Sequence, residues 1–247
     1  MTNMDIIKGR LKAIANMVSP GNVVADIGCD HAYLSIYLVK NNICPKVIAC
    51  DINAGPLKIA ANNIRQWGCE DKIDVRLGNG LEPVKTNEVS SVVIAGMGGG
   101  LITDIIRNGN NVLAGAKEII IGAQSEISAV RHFLEDNGYS IVSEDMVIDE
   151  GKFYPIIKAV HGKMNLQKEI YYRYGKILIK EDNPVLKEYL IRQKAHYAKL
   201  LSHIGSEGES AGARQRLDEL AFELKLCENA LISMNEQDVK YSDRTIE

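Results

Sequence analysis

No two cysteines of this sequence stand in CxxC spacing, and their total of five is odd. That usage is typical of reduced, buried thiols rather than of a disulfide framework. The sequence also lacks an apolar run of about 18 residues, the length that a membrane-spanning helix needs, and its N-terminus has no signal-peptide pattern. We therefore expect a soluble, cytoplasmic protein with no membrane contact.

Motifs for metals and nucleophiles are missing as well. The five histidines show no metal-ligand spacing, so we expect no metal site. No local motif supports a Ser-His-Asp arrangement. The GxGxxG spacing of dinucleotide-binding loops is absent, which makes an NAD-dependent dehydrogenase the weakest of the enzyme hypotheses.

Positive charge is scarce overall, because 29 Lys and Arg face 32 Asp and Glu, for a net charge of −3. Bulk charge therefore gives no support for nucleic-acid binding. The charge is unevenly spread, however: residues 163–203 hold nine basic and four acidic side chains, whereas residues 204–247 hold five basic and ten acidic ones. A basic block is thus followed by an acidic one.

What the sequence does contain is an alternation of short apolar runs with helical patterns. A predicted helix over residues 3–18 precedes five predicted strands, which are Asn22–Asp26, Lys46–Ile52, Ile73–Gly78, Val89–Met97 and Glu118–Gln124. Continuous apolar character, as in the second of these, is typical of parallel strands covered on both faces. Tyr139–Asp149 and Phe153–Val160 are predicted to form a closing antiparallel hairpin that turns at Glu150-Gly151.

This order of elements predicts an α/β fold. Five parallel strands followed by a closing hairpin are the pattern of the seven-stranded, Rossmann-like methyltransferase sheet, and a plain dehydrogenase sheet lacks that hairpin. At 247 residues, the chain has room for one domain of this kind and a smaller one.

After Gly162 the pattern becomes helical, so we divide the chain into a domain of residues 1–162 and an extension of residues 163–247. Asp182-Asn183-Pro184 ends one predicted helix and begins another. A short heptad pattern follows, formed by Leu217, Leu220, Leu224, Cys227, Leu231 and Met234. With a glycine-rich turn at residues 205–212, the pattern predicts an antiparallel, coiled-coil-like helical hairpin.

The stretch Val23–Val39 organises the first domain. An apolar run turns sharply after Asp26 and continues with helical spacing, as in the first half of a nucleotide-binding βαβ unit. Gly28 lets the backbone approach a ligand closely, although a tight turn alone would also explain it. Asp26 and Asp30 suit the ammonium and sulfonium of S-adenosylmethionine better than a pyrophosphate, which binds bare backbone amides. The alternative role for Asp30 is a helix N-cap.

Polar residues and glycines end the following strands. Asp51 can accept both ribose hydroxyls of a nucleoside, or it is a solvated strand-end residue. Asn79 either contacts the N6 edge of adenine or shapes a turn. Four glycines within residues 96–100 either leave room for a flat ring beside the methyl group or form a flexible hinge.

Two aromatic side chains fall near the same predicted pocket. His31 is either a proton acceptor or a helix-start residue. Tyr33 either packs in the core or presents its ring to a base.

A resemblance to a known family rests on the motifs ADIGCDHAYLSIYL (25–38), ACDIN (49–53), RLGNGL (76–81), AGMGGGLI (95–102) and LEDNGYSIVSED (134–145), and on a strand centred on Tyr154. Together they resemble the bacterial tRNA (adenine-22)-N1-methyltransferase family, with a likeness that covers residues 3–162. Many members read GDG where this chain has Gly78-Asn79-Gly80. Many also read QPN where it has Gln124-Ser125-Glu126.

The resemblance implies a class I methyltransferase fold with a C-terminal coiled-coil extension, S-adenosylmethionine as cofactor, and N1 of an adenine in the D-arm of tRNA as acceptor. It implies cofactor contacts from Asp26, Gly28, Cys29, Asp30, His31, Asp51, Ile52, Asn53, Asn79, Gly80, Gly96, Met97 and Gly98. It implies catalytic positions at Asp30, His31 and Tyr33, and substrate contacts from Gly98 and Gly99.

For tRNA as a partner, the basic block is the candidate phosphate surface, with Lys168, Arg173, Lys176, Lys187, Arg192, Lys194 and Lys199 as its candidates. A solvated helix face would explain these residues equally well. Two other functions stay open, a small-molecule methyltransferase and a non-catalytic module that binds S-adenosylmethionine or RNA. We expect a monomer or a weak homodimer.

Overall fold

The computed structural model of the chain describes residues 6–204 and 211–242. Its contacts divide the chain into two compact units, Met1–Asn165 and Leu166–Glu247. Among the described residues, none of the helices combines the length and the apolar character that a membrane crossing requires.

The first unit contains a seven-stranded sheet in the order β3-β2-β1-β4-β5-β7-β6. Its strands are β1 (Val24–Ile27), β2 (Val47–Asp51), β3 (Ile73–Leu77), β4 (Ser91–Met97), β5 (Glu118–Ala123), β6 (Tyr139–Asp149) and β7 (Lys152–His161). The first five are parallel, and β7 runs antiparallel between β5 and β6. The predicted α/β methyltransferase sheet is confirmed.

Six helices in the described part of this unit cover the two faces of the sheet. They are α1 (Gly9–Met17), α2 (Tyr33–Lys40), α3 (Ala54–Gln66), α4 (Gly99–Asn108), α5 (Asn110–Leu113) and α6 (Ile127–Asp136). Successive strand residues point to opposite faces. Val24 accordingly lies in one core cluster with residues of α1–α3, and Ala25 lies in another with residues of α4–α6. Burial on both faces explains the continuous apolar runs of the parallel strands.

The closing hairpin turns where the sequence predicts. Glu150 and Gly151 both have positive φ, +48° and +77°, and Asp149 pairs with Lys152 across the turn. Two-residue turns of this kind need positive φ at both central positions, which glycine adopts without strain. The hairpin is therefore short, and it brings β7 back beside β5.

A polar network connects elements at the amino end of the sheet. Glu118, the first residue of β5, accepts hydrogen bonds from the Ser19 backbone and hydroxyl and from the Ser91 hydroxyl, and Lys158 lies 2.7 Å from it. Burial alone would raise the pKa of Glu118, but these partners lower it below its usual value. The network fixes the segment before β1 against β4, β5 and β7.

The second unit is helical in its described part, with α7 (Glu169–Tyr174), α8 (Lys176–Lys180), α9 (Pro184–Ile204) and α10 (Ala211–Ser242). Asn183 begins α9, because its side-chain oxygen accepts the Val185 and Leu186 amides at 3.0 Å and Pro184 occupies the first helical position. The predicted break between two helices is confirmed. Residues 205–210 of the predicted glycine-rich turn lie outside the described residues, and α10 already begins at Ala211.

The predicted heptad positions form only part of the buried face of α10. Leu220, Cys227 and Met234 are buried and the alternate positions are half-buried, but Leu226 and Ala230 are buried as well. The reason is that α10 packs against α7 and α8 as well as against α9. A helix with three neighbours needs a broader apolar stripe than the seam of a two-helix coiled coil.

A fully buried ion pair joins α6 to β6. Nη2 of Arg131 lies 2.8 Å from Oε1 of Glu144, and both side chains are 1% exposed. Each charge was removed from water on folding, and that cost is recovered only while the partner is present.

We expect Glu144→Ala to lower the free energy of unfolding by about 3–5 kcal/mol, because it removes the carboxylate that lies against the buried Arg131 charge. The double variant Arg131→Met with Glu144→Leu should lose much less, since it removes both charges. Urea denaturation measures both. Asp104→Ala, which breaks the exposed pair with Arg107, is the control and should cost less than about 1 kcal/mol. Equal stability of Glu144→Ala and wild type would contradict the prediction.

Candidate active site

A cleft of about 420 Å³ lies at the carboxyl ends of the parallel strands. The strand order reverses between β1 and β4, since the chain proceeds outward from β1 to β3 and then returns to the other side of β1. Ligands of open α/β sheets bind beyond the strands at such a switch point. The volume lies within the range of about 300–1,000 Å³ that is usual for small-molecule sites.

The turn after β1 forms one wall of the cleft. Gly28 has φ +73°, and a Cβ atom placed on it would lie 2.7 Å from Cε of Met97. The amides of Gly28 and Cys29 both donate to the Cys50 carbonyl, at 2.9 and 3.0 Å. Gly28 is therefore required both by its backbone conformation and by the close approach of Met97.

Asp51 presents a carboxylate at the end of β2. Its Oδ1 accepts the amide of Asn53 at 2.9 Å, and its Oδ2 accepts the amide of Asp30 at 3.3 Å. An ionised carboxylate has about four lone-pair sites. Two therefore remain for a ligand, which is the number that a pair of ribose hydroxyls requires.

Asp26 lies at the floor of the cleft and is only 4% exposed. The Ser35 hydroxyl donates to its Oδ2 at 2.6 Å. Burial raises the pKa of Asp26 to about 6, the Ser35 hydrogen bond partly opposes that rise, and the charge of Asp51 adds to it. A cation bound in the cleft would favour the ionised form.

Asp30, His31 and Tyr33 lie together at the mouth of the cleft. Oδ1 of Asp30 is 3.6 Å from Nε2 of His31, and the rings of His31 and Tyr33 meet edge to face at 6.1 Å. Tyr33 is 41% exposed, so it does not pack in the core. Asp30 is not the N-cap of α2 either: Ala32 occupies that position, at φ +59° and with no side-chain cap. The group is an acid, an imidazole and an aromatic ring open to a ligand.

The glycines after β4 divide into two kinds. Gly96, at φ +83° beside a break in the β4–β5 register, lines the cleft. Gly98 and Gly99 are absent from the described residues that line it. A Cβ on Gly99 would lie 2.8 Å from the Ser125 and Glu126 carbonyl oxygens. Gly99 thus allows close packing of α4 on the β5–α6 loop, and Gly98 is the N-cap of α4. The substrate contacts expected at both glycines stay predictions.

The structure brings most of the predicted site residues together. Those that line the cleft are Asp26, Gly28, Cys29, Asp30, His31, Tyr33, Asp51, Ile52, Asn53, Asn79, Gly80, Gly96 and Met97. The seven predicted basic residues belong to the second unit. Their role in binding a substrate stays a prediction.

Several lining residues were missed from the sequence. They come from α1 (Arg10, Leu11 and Ile14) and from β7 (Tyr154, Pro155 and Ile156). In α1 the apolar stripe indicated a core helix, and no local motif distinguishes Arg10 from a solvated side chain. The family resemblance did include the strand around Tyr154, which was the only signal for this side of the cleft.

The two cysteine thiols that line the cleft are poorly suited to act as nucleophiles. Burial raises the pKa of Cys50 to about 12 and the pKa of Cys29 further, so both are protonated and poor nucleophiles. Within the described part of the chain, no group of three or more His, Cys, Asp or Glu is placed to hold a metal ion. The arrangement is suited to binding a cation and orienting it.

Comparison with known proteins identifies the family. Residues 7–157 match the family model described as a methyltransferase domain. Over 227 residues, the chain is 30% identical to the tRNA (adenine(22)-N(1))-methyltransferase of Bacillus subtilis strain 168. The matched region covers 90% of this chain and 95% of that protein. The chain belongs to this methyltransferase family.

Solved structures of similar proteins contain the cofactor or its product. A Streptococcus pneumoniae protein in complex with S-adenosyl-L-methionine is 32% identical, with a TM-score of 0.81 over 90% of this chain and 98% of that one. TrmK of M. capricolum, in complex with S-adenosyl-homocysteine, is 27% identical, with a TM-score of 0.80 over 93% of this chain and 99% of that one.

The buried carboxyl of Asp26 should make the stability of the protein depend on pH. Its pKa rises from 3.8 to about 6 on folding, so the folded state holds a proton between these values that the unfolded state has lost. The contribution of this carboxyl to the free energy of unfolding is fully present below about pH 4, and it is lost as the pH rises through about 6.

We expect Asp26→Asn to raise the free energy of unfolding at pH 7.5 by on the order of 2 kcal/mol, because it removes the cost of burying a charge. The gain should disappear below about pH 4. Urea denaturation across this pH range measures it, with the exposed Asp71→Asn as the control. A variant that is no more stable than wild type at pH 7.5 would show that burial does not penalise this carboxylate.

Proposed function

We propose that this protein transfers a methyl group from S-adenosylmethionine to N1 of adenine 22 in the D-arm of tRNA. The main support is that its acid-lined cleft occurs in a chain that matches the Bacillus subtilis enzyme over 95% of that enzyme's length. We also propose that it works in the cytoplasm as a monomer or a weak homodimer.

The residues of the cleft fit S-adenosylmethionine. Asp51 has carboxylate lone pairs left for the two ribose hydroxyls. Asn79, which is exposed after β3, is the candidate for a contact with the edge of the adenine ring. Asp26 and Asp30 supply negative charge near a sulfonium and an ammonium, and the bare backbone of Gly28 allows a close approach.

The methyl transfer requires alignment of the reacting atoms more than removal of a proton. When bound, S-adenosylmethionine supplies an electrophilic methyl group. Adenine N1 carries an in-plane lone pair, so the protein has to hold the acceptor in line rather than deprotonate it first. The methylated base is cationic until its N6 side loses a proton. We assign the acceptance of that proton to His31, which Asp30 orients from 3.6 Å.

Access to N1 requires an unpaired or flipped base, because N1 lies on the Watson–Crick edge. Flipping costs roughly a few kcal/mol. The exposed ring of Tyr33 offers a stacking surface, and stacking on an aromatic side chain contributes about 1–3 kcal/mol per base. Gly96 has no side chain to obstruct a flat ring at the end of β4.

We propose that residues 1–162 are catalytic and that residues 163–247 bind the tRNA. Within the second unit, four of the seven candidate cations lie beside carboxylates, in the pairs Arg173–Glu223, Lys187–Asp182, Arg192–Glu188 and Lys194–Glu228. Lys168 and Lys176 instead lie over the ring of Tyr171, at 5.6 and 5.8 Å. Two ammonium groups on one aromatic ring are a better phosphate contact than cations already neutralised.

The decisive experiment is methyl transfer from labelled S-adenosylmethionine to unmodified tRNA, followed by nucleoside analysis. We expect 1-methyladenosine, and none with a tRNA that carries guanosine at position 22. Asp51→Ala should lower kcat/KM by about 100-fold, because it removes charge-assisted hydrogen bonds to the ribose. The exposed Asp71→Ala should retain activity. Cofactor binding without methylation of any tRNA, or methylation of a small molecule only, would contradict the proposal.

The proposed phosphate surface predicts the salt dependence of tRNA binding. Lys168→Gln with Lys176→Gln should reduce the slope of log K against log salt concentration by about 2, since each phosphate contact contributes about 0.9. The matched control, Arg192→Gln with Lys194→Gln, removes cations that are paired with glutamates and should change the slope less. Filter binding at several salt concentrations measures the slopes. Equal slopes for the two double variants would exclude the Tyr171 surface as the phosphate contact.

A further inference from the structure

The connection between β3 and β4 differs from the other connections at the cleft. β1, β2, β4 and β5 each lead within a few residues into a helix, whereas residues 78–90, all of which the structure describes, form neither helix nor strand. Connections of this length without secondary structure are uncommon in compact domains, and many of them are functional. This one contributes Gly78, Asn79 and Gly80 to the cleft. Because no helix follows directly, that segment needs another support.

Arg76, in β3, supplies this support. Its Nη1 and Nη2 donate to the two carboxylate oxygens of Glu88 at 2.7 and 2.6 Å, and Nη1 also donates to the Pro83 carbonyl at 2.8 Å. Nε and Nη2 donate to Oδ2 of Asp74 at 3.0 and 2.7 Å. All five N–H groups of the guanidinium are thereby used. The same hydrogen bonds lower the pKa of Glu88 to about 2, so the pair stays charged at neutral pH.

The contacts of Arg76 reach the cleft through Pro83 and Gly78. A Cβ atom placed on Gly78 would lie 2.9 Å from the Pro83 ring, so this ring packs against the backbone at Gly78. The Gly78 amide donates to the Asp51 carbonyl at 3.0 Å, and the Glu82 amide donates to the Asn79 carbonyl at 3.1 Å. The exposed side chain of Asn79 therefore starts from a backbone that is held on both sides.

We infer that Arg76 is a positioning residue for the adenine end of the cleft, an inference that rests on the proposed function. By holding Pro83 and Glu88, it fixes the backbone of residues 78–80 so that the Asn79 amide meets the edge of the adenine ring. Arg76 itself is absent from the described residues that line the cleft, so it acts through the loop. Only arginine supplies five donors in one plane, since a lysine has three on a single nitrogen.

A purely structural role is the competing explanation. Loss of Arg76 would then lower the free energy of unfolding without acting on the Asn79 contact. The two explanations differ in how the effects on ligand affinity combine. Residues that act as one unit have non-additive effects, whereas the fold-changes of independent sites multiply.

The test is a double-mutant cycle measured by titration calorimetry with S-adenosyl-homocysteine. It compares wild type, Arg76→Met, Asn79→Ala and the double variant. We expect each single variant to bind about 3- to 10-fold more weakly, the value of one hydrogen bond. The double variant should bind no more weakly than Asn79→Ala. Arg76→Lys should recover part of the affinity, because it retains the charge and three of the donors.

Lys158→Met is the matched control. Lys158 is 18% exposed, close to the 19% of Arg76, and it also contacts a carboxylate, Glu118 at 2.7 Å, and a backbone carbonyl, that of Met17 at 3.0 Å. These contacts lie at the amino end of the sheet, so the affinity for S-adenosyl-homocysteine should not change. If Arg76→Met does not fold, Glu88→Gln takes its place in the cycle, since it removes one of the two carboxylate acceptors.

The other outcomes also decide the question. Equal affinity of Arg76→Met and wild type would overturn the inference, and so would fold-changes of Arg76→Met and Asn79→Ala that multiply in the double variant. A loss for Lys158→Met as large as that for Arg76→Met would attribute the effect to stability and overturn it too. In these three cases the proposed function is unaffected. If wild type does not bind S-adenosyl-homocysteine, the proposed function fails together with the inference.

Discussion

The parallel pairing of β1 with β2 on one side and β4 on the other is the constraint on which the cleft depends. Residues Val24–Ile27 are buried, and each of them pairs in both directions. Because the strand order reverses at β1, the loops after β1, β2 and β4 meet at one edge. Asp51, Gly28 and Met97 therefore come together although they are separated by long stretches of sequence.

The electrostatics of the cleft follow from this meeting of strand ends. Asp26 is buried where its ionised form is disfavoured, and the charge of Asp51 disfavours it further. A fold holds such a group only if other interactions stabilise it. Elsewhere in this unit the buried charges have partners. Glu118, at the amino end of β5, accepts hydrogen bonds, and Arg131 of α6 forms an ion pair with Glu144. The cost of ionising Asp26 is one that a cationic ligand bound in the cleft would reduce.

Glycines show how one residue type serves different physical needs in this chain. Gly28 and Gly96 have positive φ and lie in the cleft, so their backbone conformation and their missing side chains both matter there. Gly99 has an ordinary helical position, and its missing Cβ allows α4 to approach the loop at Ser125. The glycines of residues 96–100 left both a role beside the ligand and a hinge open, because the sequence does not distinguish these conformations.

Much of the fold could be predicted from local pattern. The parallel strands were placed to within a few residues, because both of their faces are buried and their apolar runs end at glycine or polar residues. The break at Asn183-Pro184 was equally predictable, since a capping side chain and a proline act locally. The buried stripe of α10 was less so, because its width depends on how many helices pack around it.

The sequence by itself determined the class of sheet, the strand-end residues and the family, since each of these depends on short contiguous motifs. Only the tertiary structure decided which candidates share a cleft. The guanidinium of Arg10, in α1, lies close to Gly96, which is 86 positions later in the chain. Arg192 is paired with Glu188 of its own helix, whereas Lys194 is paired with Glu228 of α10. Such contacts depend on the packing of distant elements, and no local pattern of residues specifies them.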